Sequence, residues 1–140
     1  MSTLSEFRKK LTEMLEGRGL RVNTWSFGGR CSSNLLEITT APKMTVLYVK
    51  EFNVPNRPGF WGLTKNQIDR LSPTIPRWFA ILLLRSNAAG YVLTASQVVK
   101  HIADGLFELS RDGDYKVNET LDLKSAEAFG SLEDLLSRIL

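Results

Sequence analysis

The segment LLEITTAPKMTVLYVKEFNV, residues 35–54, decides the fold. Its two β-rich halves flank an Ala-Pro-Lys turn at residues 41–43, which predicts a β-hairpin. The halves place Glu37 in one apolar strand and Lys50 in its partner. Because a buried ion is costly unless it is paired or ligated, two charges in apolar strands indicate either an ion pair or a functional site.

Strand and helix patterns alternate on both sides of this hairpin. No repeat, low-complexity stretch or linker interrupts them, so we expect residues 1–140 to form a single domain. The alternation predicts an α/β sandwich with a central mixed sheet. Outside the hairpin we expect helices at about residues 4–15, from 64 onward, at 95–103 and from 131 onward. We expect strands at residues 20–27, 78–84, 91–94, 106–110 and 115–117. Residues 53–62 are expected to form an irregular excursion.

The composition is that of a globular chain that folds without disulfides. Of the 140 residues, 43% are hydrophobic and 24% are charged. Cys31 is the only cysteine, interpreted as a bystander thiol in a reducing compartment, and the single histidine, His101, excludes histidine-pair metal sites. The longest apolar run, residues 78–84, is far shorter than a bilayer span, and the first residues lack the apolar core of a signal peptide. We therefore expect a cytoplasmic, intracellular protein without membrane contact.

The net charge of +3 is unevenly distributed along the chain. Residues 1–100 contain 14 Lys or Arg and 6 Asp or Glu, a net charge of +8, whereas residues 101–140 contain 4 and 9, a net charge of −5. A basic body of this kind is typical of a surface that faces a polyanion such as DNA. The alternative is that the asymmetry lies on solvated faces and has no function, and the sequence leaves both open.

Glu37 and Lys50 are the residue types that metal-dependent phosphodiester hydrolysis requires. In that chemistry a carboxylate holds Mg²⁺, the metal lowers the pKa of a bound water, and a lysine orients this water. Directly opposed residues of a hairpin lie about 5 Å apart, so the two groups are able to share a metal site if Glu37 opposes residue 46, 48 or 50. The alternative is a simple ion pair on an exposed sheet face.

In the order of its elements the chain resembles the PD-(D/E)XK nuclease superfamily, above all its restriction-endonuclease-like and Holliday-junction-resolvase-like branches. The resemblance covers about residues 3–95 and is carried by Glu6 in the first helix, Glu37 and Lys50 in the hairpin, and Gln67 in the helix that follows. It implies a restriction-endonuclease-like sandwich and a Mg²⁺-dependent DNA endonuclease or resolvase-like enzyme. DNA is then the expected partner, and Mg²⁺ the expected cofactor.

The resemblance also implies a role for each of these residues. Glu37 matches the first metal-binding acid, and Lys50 matches the catalytic lysine. Glu6 matches a glutamate that some members carry in the first helix, and Gln67 matches a glutamine that follows the core. For the last two there is an alternative, because the segments 3–6 and 64–67 both fit capping boxes, in which the acid or amide bonds its own helix start.

Tyr48 departs from the superfamily pattern, because it stands where the second acid is expected. A phenol stays protonated at neutral pH and is a poor Mg²⁺ ligand. Glu51 is not a simple replacement, since adjacent strand residues point to opposite faces. The carbonyl of Val49 remains as an expected second ligand beside Glu37, and the departure raises the alternative of a nuclease-derived subunit without catalysis.

Aromatic and basic side chains supply further candidates for contacts with nucleic acid. Trp61, in a glycine-flanked segment, suits base stacking or, alternatively, packing onto the following helix. Phosphate contacts are expected from Arg8, Lys9, Arg30, Arg57, Lys65 and Arg77, unless these side chains are only solvated.

Three functional hypotheses follow from the sequence. The first is a DNA endonuclease that uses Glu37, Lys50 and Gln67. The second is a catalytically inactive, nuclease-derived subunit that binds nucleic acid or has a structural role. The third is a protein-interaction domain that uses the acidic segment 101–140 and its last helix, with a homodimer or another protein as the partner.

Overall fold

The computed structural model describes residues 2–27, 30–40, 43–75 and 77–140, and of residues 26, 27, 30–33, 40, 73 and 74 it describes the backbone alone. Its helices are α1 (Thr3–Glu16), α2 (Lys65–Thr74), α3 (Ala95–Ala103), α4 (Glu119–Asp122) and α5 (Leu132–Ile139), with a 3₁₀ turn at Ser125–Glu127. Its strands are β1 (Arg21–Phe27), β2 (Arg30–Thr40), β3 (Lys43–Phe52), β4 (Phe60–Thr64), β5 (Trp78–Leu84), β6 (Gly90–Thr94), β7 (Glu108–Leu109), β8 (Asp114–Asn118) and β9 (Ala128–Phe129).

Six strands form the central sheet in the order β1-β2-β3-β5-β6-β9. The pair β3–β5 is parallel and the other neighbours are antiparallel, which confirms the predicted hairpin and the predicted mixed sheet. Two parallel neighbours need a long crossover connection. Here β4 and α2 form this connection, and they lie over one face of the sheet.

Helices cover both faces of the central sheet, as predicted. On the first face, called the α1 face, α1 and α5 pack with Leu11 and Leu135 against Leu47 and Ile81. On the opposite face, called the α2 face, α2, α3 and a smaller sheet bury Tyr48 and Leu82 among other residues. Because alternate residues of one strand serve two cores, β5 and the middle of β3, from Val46 to Val49, consist almost entirely of buried apolar side chains.

The smaller sheet, in the order β4-β8-β7, corrects the prediction of an irregular excursion at residues 53–62. The excursion ends at Gly59, and β4 pairs antiparallel with β8, so that Trp61 opposes Val117 and Leu63 opposes Tyr115. The prolines and glycines before β4 obscured the strand in the sequence. Its partner lies more than fifty residues further along the chain, where no local pattern points to the pairing.

None of the helices among the described residues is long and apolar enough to cross a membrane.

Gly90 is required where β6 passes β5, because a Cβ atom at this position would overlap the carbonyl oxygen of Leu82. We expect Gly90→Ala to lower the free energy of unfolding by about 2 kcal/mol or more, as overpacking of a core does. Urea unfolding measures the change. Gly130→Ala is the matched control, since a Cβ there meets open space, and equal stability of the two variants would contradict the assignment.

Candidate functional site

The strand register places Glu37 and Lys50 on the same face of the sheet. Glu37 opposes Val46 in the antiparallel pair β2–β3, which is one of the registers that a shared site requires. Leu35 opposes Tyr48 in the same pair. Because side chains along a strand point alternately to the two faces, the α2 face carries all five of these side chains: Leu35, Glu37, Val46, Tyr48 and Lys50.

Glu37 and Lys50 nevertheless do not converge. Lys50 lies four residues beyond the partner of Glu37, a distance of about 13 Å along the strand. Val46 and Tyr48 fill the space between them and are completely buried. The described ion pairs do not join the two charges, and the Glu37 carboxylate accepts only a long hydrogen bond of 3.5 Å from Thr39. The expectation of one shared pocket is therefore wrong.

Tyr48 occupies the position at which the superfamily pattern has an acid. Its phenol oxygen accepts a hydrogen bond of 2.9 Å from the backbone N–H of Thr64, the residue that precedes α2. Burial raises the pKa of Tyr48, although the contacts with Thr64 partly oppose this shift. The ammonium group of Lys50 lies 5.9 Å from the centroid of the Tyr48 ring, a cation–π distance. The phenol is therefore a neutral structural group that holds Lys50 beside it.

The carboxylate of Glu51 serves α1 on the other side of the sheet. It accepts a hydrogen bond of 2.7 Å from the N–H of Leu4, in the first turn of the helix. A negative charge at this end of a helix satisfies an unpaired donor and complements the helix dipole. Glu51 is therefore turned away from Lys50, as the strand period predicts.

Glu6 and Gln67 lie in the first turns of α1 and α2 and are half-buried. The capping boxes proposed for them do not form as expected. Ser2 caps α1 by accepting a hydrogen bond from Ser5, one position earlier than predicted, and the Thr64 side chain makes no cap hydrogen bond at α2.

Mg²⁺ does not fit the donors that the structure brings together around Lys50. Among the described residues there is no group of three or more His, Cys, Asp or Glu side chains arranged to hold a metal ion. Among the described side chains, the protonated phenol of Tyr48 lies beside Lys50, and Glu37 opposes Val46, four residues before Lys50. Val49 lies in a central strand between β2 and β5, where the ladders engage backbone groups, which speaks against its carbonyl as a ligand.

Two of the basic candidates are available for a ligand. Lys9 and Arg57 are exposed, and the side chain of neither makes a hydrogen bond or an ion pair with the residues that the structure describes. The side chain of Arg30 lies outside the described residues. Lys9 and Arg57 thus remain candidates for phosphate contacts.

The other basic candidates have structural partners. Arg8 donates a hydrogen bond of 2.7 Å to the hydroxyl of Thr24, and Lys65 forms an ion pair of 2.5 Å with Asp69. The Arg77 guanidinium donates to the Thr45 hydroxyl and to the carbonyl oxygen of Ile139 at the end of α5. These contacts give each of the three side chains a structural role that requires no ligand.

Trp61 belongs to the core and not to a nucleic-acid surface. It is 2% exposed, its indole N–H donates to the carbonyl oxygen of Leu83 at 3.1 Å, and its ring packs against Phe52 and Tyr91. No base is able to stack on a ring in this position. The ring packs against residues of β3 and β6, whereas the alternative interpretation places it on the following helix. The neighbouring Phe60, on the outer face of β4, is 42% exposed.

Sequence reasoning missed a cluster at the edge of the sheet where the parallel strands β3 and β5 end. Phe52 and Leu84 are paired there, so the loops at residues 53–59 and 85–89 leave the sheet side by side. The Arg85 guanidinium donates to the carbonyl oxygens of Val54 and Arg57 at 3.3 and 2.6 Å. Arg85 itself has a left-handed backbone, with φ of 50°, which no sequence pattern signals.

Glu119 binds the same loop at its last residue, Gly59. Its carboxylate accepts hydrogen bonds of 2.7 Å from the N–H of Gly59 and from the hydroxyl of Tyr91. Burial opposes the charge on Glu119, but these two hydrogen bonds and the nearby Arg85 hold its pKa below the usual range. Burial, the hydrogen bond and the negative charge of Glu119 raise the pKa of Tyr91 to about 12.

The acidic segment 101–140 uses many of its carboxylates within the fold. Asp122 and Glu127 are buried and accept hydrogen bonds from the backbone N–H groups of Asn118 and Lys124. Asp112 is bonded to Ser110 and Lys116, and Asp134 is bonded to Arg138. The negative charge of this segment is therefore less available to a partner than its sequence indicates.

The chain has a similar solved structure, although no protein-family profile and no curated protein sequence matches it. The Holliday junction resolvase Hjc of the archaeal hyperthermophile Archaeoglobus fulgidus superimposes with a TM-score of 0.51 at 13% sequence identity. The match covers 84% of this chain and 89% of Hjc. The protein has a restriction-endonuclease-like fold. At this identity the likeness concerns the fold alone.

We expect Tyr48→Phe to lower the free energy of unfolding by about 1–2 kcal/mol, because the Thr64 N–H then loses its acceptor in a partly buried site. Urea unfolding measures the change. Tyr115→Phe is the matched control, since Tyr115 is also buried but its hydroxyl has no hydrogen-bond partner among the described residues. Tyr48→Phe with the stability of the wild type would contradict the structural role.

Proposed function

We propose that this chain is a nucleic-acid-binding domain with a resolvase-like fold that does not hydrolyse phosphodiesters. The observation that carries the proposal is the completely buried phenol of Tyr48, bonded to Thr64 and facing Leu35. It occupies the position at which a metal-dependent nuclease needs a carboxylate.

The arrangement around Lys50 argues against hydrolysis for a physical reason. Metal-assisted attack on a phosphodiester needs carboxylates that hold the ion next to the group that orients the water. Glu37, the carboxylate expected for this role, is about 13 Å away along the strand and is separated from Lys50 by packed side chains. Lys50 remains as a positive charge beside an aromatic ring, a suitable contact for a phosphate group.

Charge and fold together support nucleic acid as the ligand. Hjc, the structure that this chain resembles in fold, is a Holliday junction resolvase, so its substrate is branched DNA. Residues 1–100 carry a net charge of +8, and their exposed cations include Lys9 and Arg57, which lack partners among the described residues. Cations without an internal partner are free to replace the counterions of a phosphate backbone.

Binding to labelled DNA, followed by fluorescence anisotropy over a range of salt concentrations, tests this part of the proposal. We expect measurable binding at low salt that weakens steeply as salt rises, because counterions are released. Lys9→Glu should weaken binding about threefold to tenfold, since it reverses a charge near the phosphates. Arg111→Glu is the matched control, because Arg111 is equally exposed but lies in the acidic segment. No binding of the wild type at low salt would refute the proposal.

A cleavage assay tests the absence of hydrolysis. We expect no nicking of plasmid or branched DNA by the purified wild type in the presence of Mg²⁺ or Mn²⁺. Cleavage by the wild type that is lost in Lys50→Ala would overturn this part of the proposal and favour the endonuclease hypothesis. Cleavage that persists in Lys50→Ala points to a contaminating nuclease.

The homodimer and the protein partner for the acidic segment stay predictions from the sequence.

A further inference from the structure

We infer that the loop at residues 53–59, together with Phe60, forms a preorganised platform for unpaired nucleotides, with Arg57 contacting a phosphate and Phe60 stacking on a base. This inference rests on the proposed function and names the part of the surface and the form of nucleic acid. In open α/β sheets, ligands bind outside the carboxyl ends of the parallel strands, and the loop leaves the sheet there, at the end of β3.

The loop is held in one conformation although its surface is open. Residues 53–58 are all exposed, so they have little packing of their own to fix them. The guanidinium of Arg85 bonds two of the loop carbonyls, and Glu119 exchanges backbone and side-chain hydrogen bonds with Gly59. At the other end, Asn53 accepts a hydrogen bond of 3.0 Å from the hydroxyl of Thr3 in α1. Such anchoring reduces the entropy that a loop loses when it binds.

The segment from residue 52 to 68 has the charge that suits a polyanion. It contains no Asp or Glu and two cations, Arg57 and Lys65. Lys65 is paired with Asp69, so Arg57 supplies the free charge. A guanidinium group binds phosphate through two parallel hydrogen bonds.

Phe60 supplies an apolar surface three residues after Arg57. It is 42% exposed on the outer face of β4, and the ammonium group of Lys116 lies 5.8 Å from its ring centroid. Lys116 is itself neutralised by an ion pair of 2.7 Å with Asp112, so the phosphate contact falls to Arg57. Exposed aromatic rings beside a cation are the elements with which proteins bind single-stranded nucleic acid.

The expected ligand is a strand with unpaired bases, because stacking on Phe60 requires a base whose face is open. A paired and stacked duplex offers its phosphates to Arg57 but no base face to the ring. We therefore expect the wild type to bind a labelled single-stranded oligonucleotide more tightly than the duplex of the same sequence.

Fluorescence anisotropy with these two probes tests the platform. Phe60→Ala should weaken binding of the single strand about tenfold and change binding of the duplex less than about twofold, because only the stacking contact is lost. Phe60→Tyr should retain the affinity of the wild type. Arg57→Ala should weaken binding of both probes and reduce the slope of log affinity against log salt by about one.

Leu109→Ala is the matched control, since Leu109 is 49% exposed and lies in the same small sheet. Circular dichroism and the urea midpoint verify that each variant folds. If the wild type binds DNA but Phe60→Ala and Leu109→Ala bind the single strand equally, the platform is refuted and the proposed function stands. If the wild type binds neither probe, both are refuted.

Discussion

The burial of β3 on both of its faces is the constraint on which the rest of the structure depends. The four residues from Val46 to Val49 are completely buried, because one half of them faces α1 and the other half faces α2. A carboxylate at position 48 would have to be desolvated in this completely buried position, which is costly. The phenol of Tyr48 needs only one hydrogen bond, and the N–H of Thr64 supplies it. The same bond connects the central strand to the residue that precedes α2.

At the edge where β3 ends, the acidic side chains and Arg85 have structural roles, whereas the Arg57 side chain remains available. Glu51 caps α1, and Glu119 holds Gly59 and Tyr91. Each of these carboxylates accepts a hydrogen bond from a backbone N–H group, Leu4 for Glu51 and Gly59 for Glu119. Arg57 stands at the tip of a loop fixed by these contacts. The result is an edge that combines a rigid backbone with exposed positive charge, the properties that a phosphate-binding surface needs.

The distribution of charge also changes its meaning in the tertiary structure. Segment 101–140 is acidic in sequence, yet Asp122 and Glu127 are buried in hydrogen bonds to the backbone, and Asp112 and Asp134 are paired with Lys116 and Arg138. Such pairs contribute little to stability when exposed. They do, however, neutralise the segment locally. In the basic segment, the side chains of Lys9 and Arg57 have no partner among the described residues, so the asymmetry that matters to a ligand is that of the unpaired charges.

Local periodicity determined much of this protein without any tertiary information. The apolar runs predicted β3, β5 and the second half of β2, and the period of two correctly predicted that Glu51 points away from Lys50. The tertiary structure alone decided the rest. Nothing in the sequence states that Glu37 opposes Val46, four residues before Lys50, because hairpin register depends on the turn and on the packing of both faces. Likewise, Trp61 is buried against Phe52, Tyr91 and Leu83 while Phe60 is exposed, and contacts between remote segments of this kind leave no local pattern.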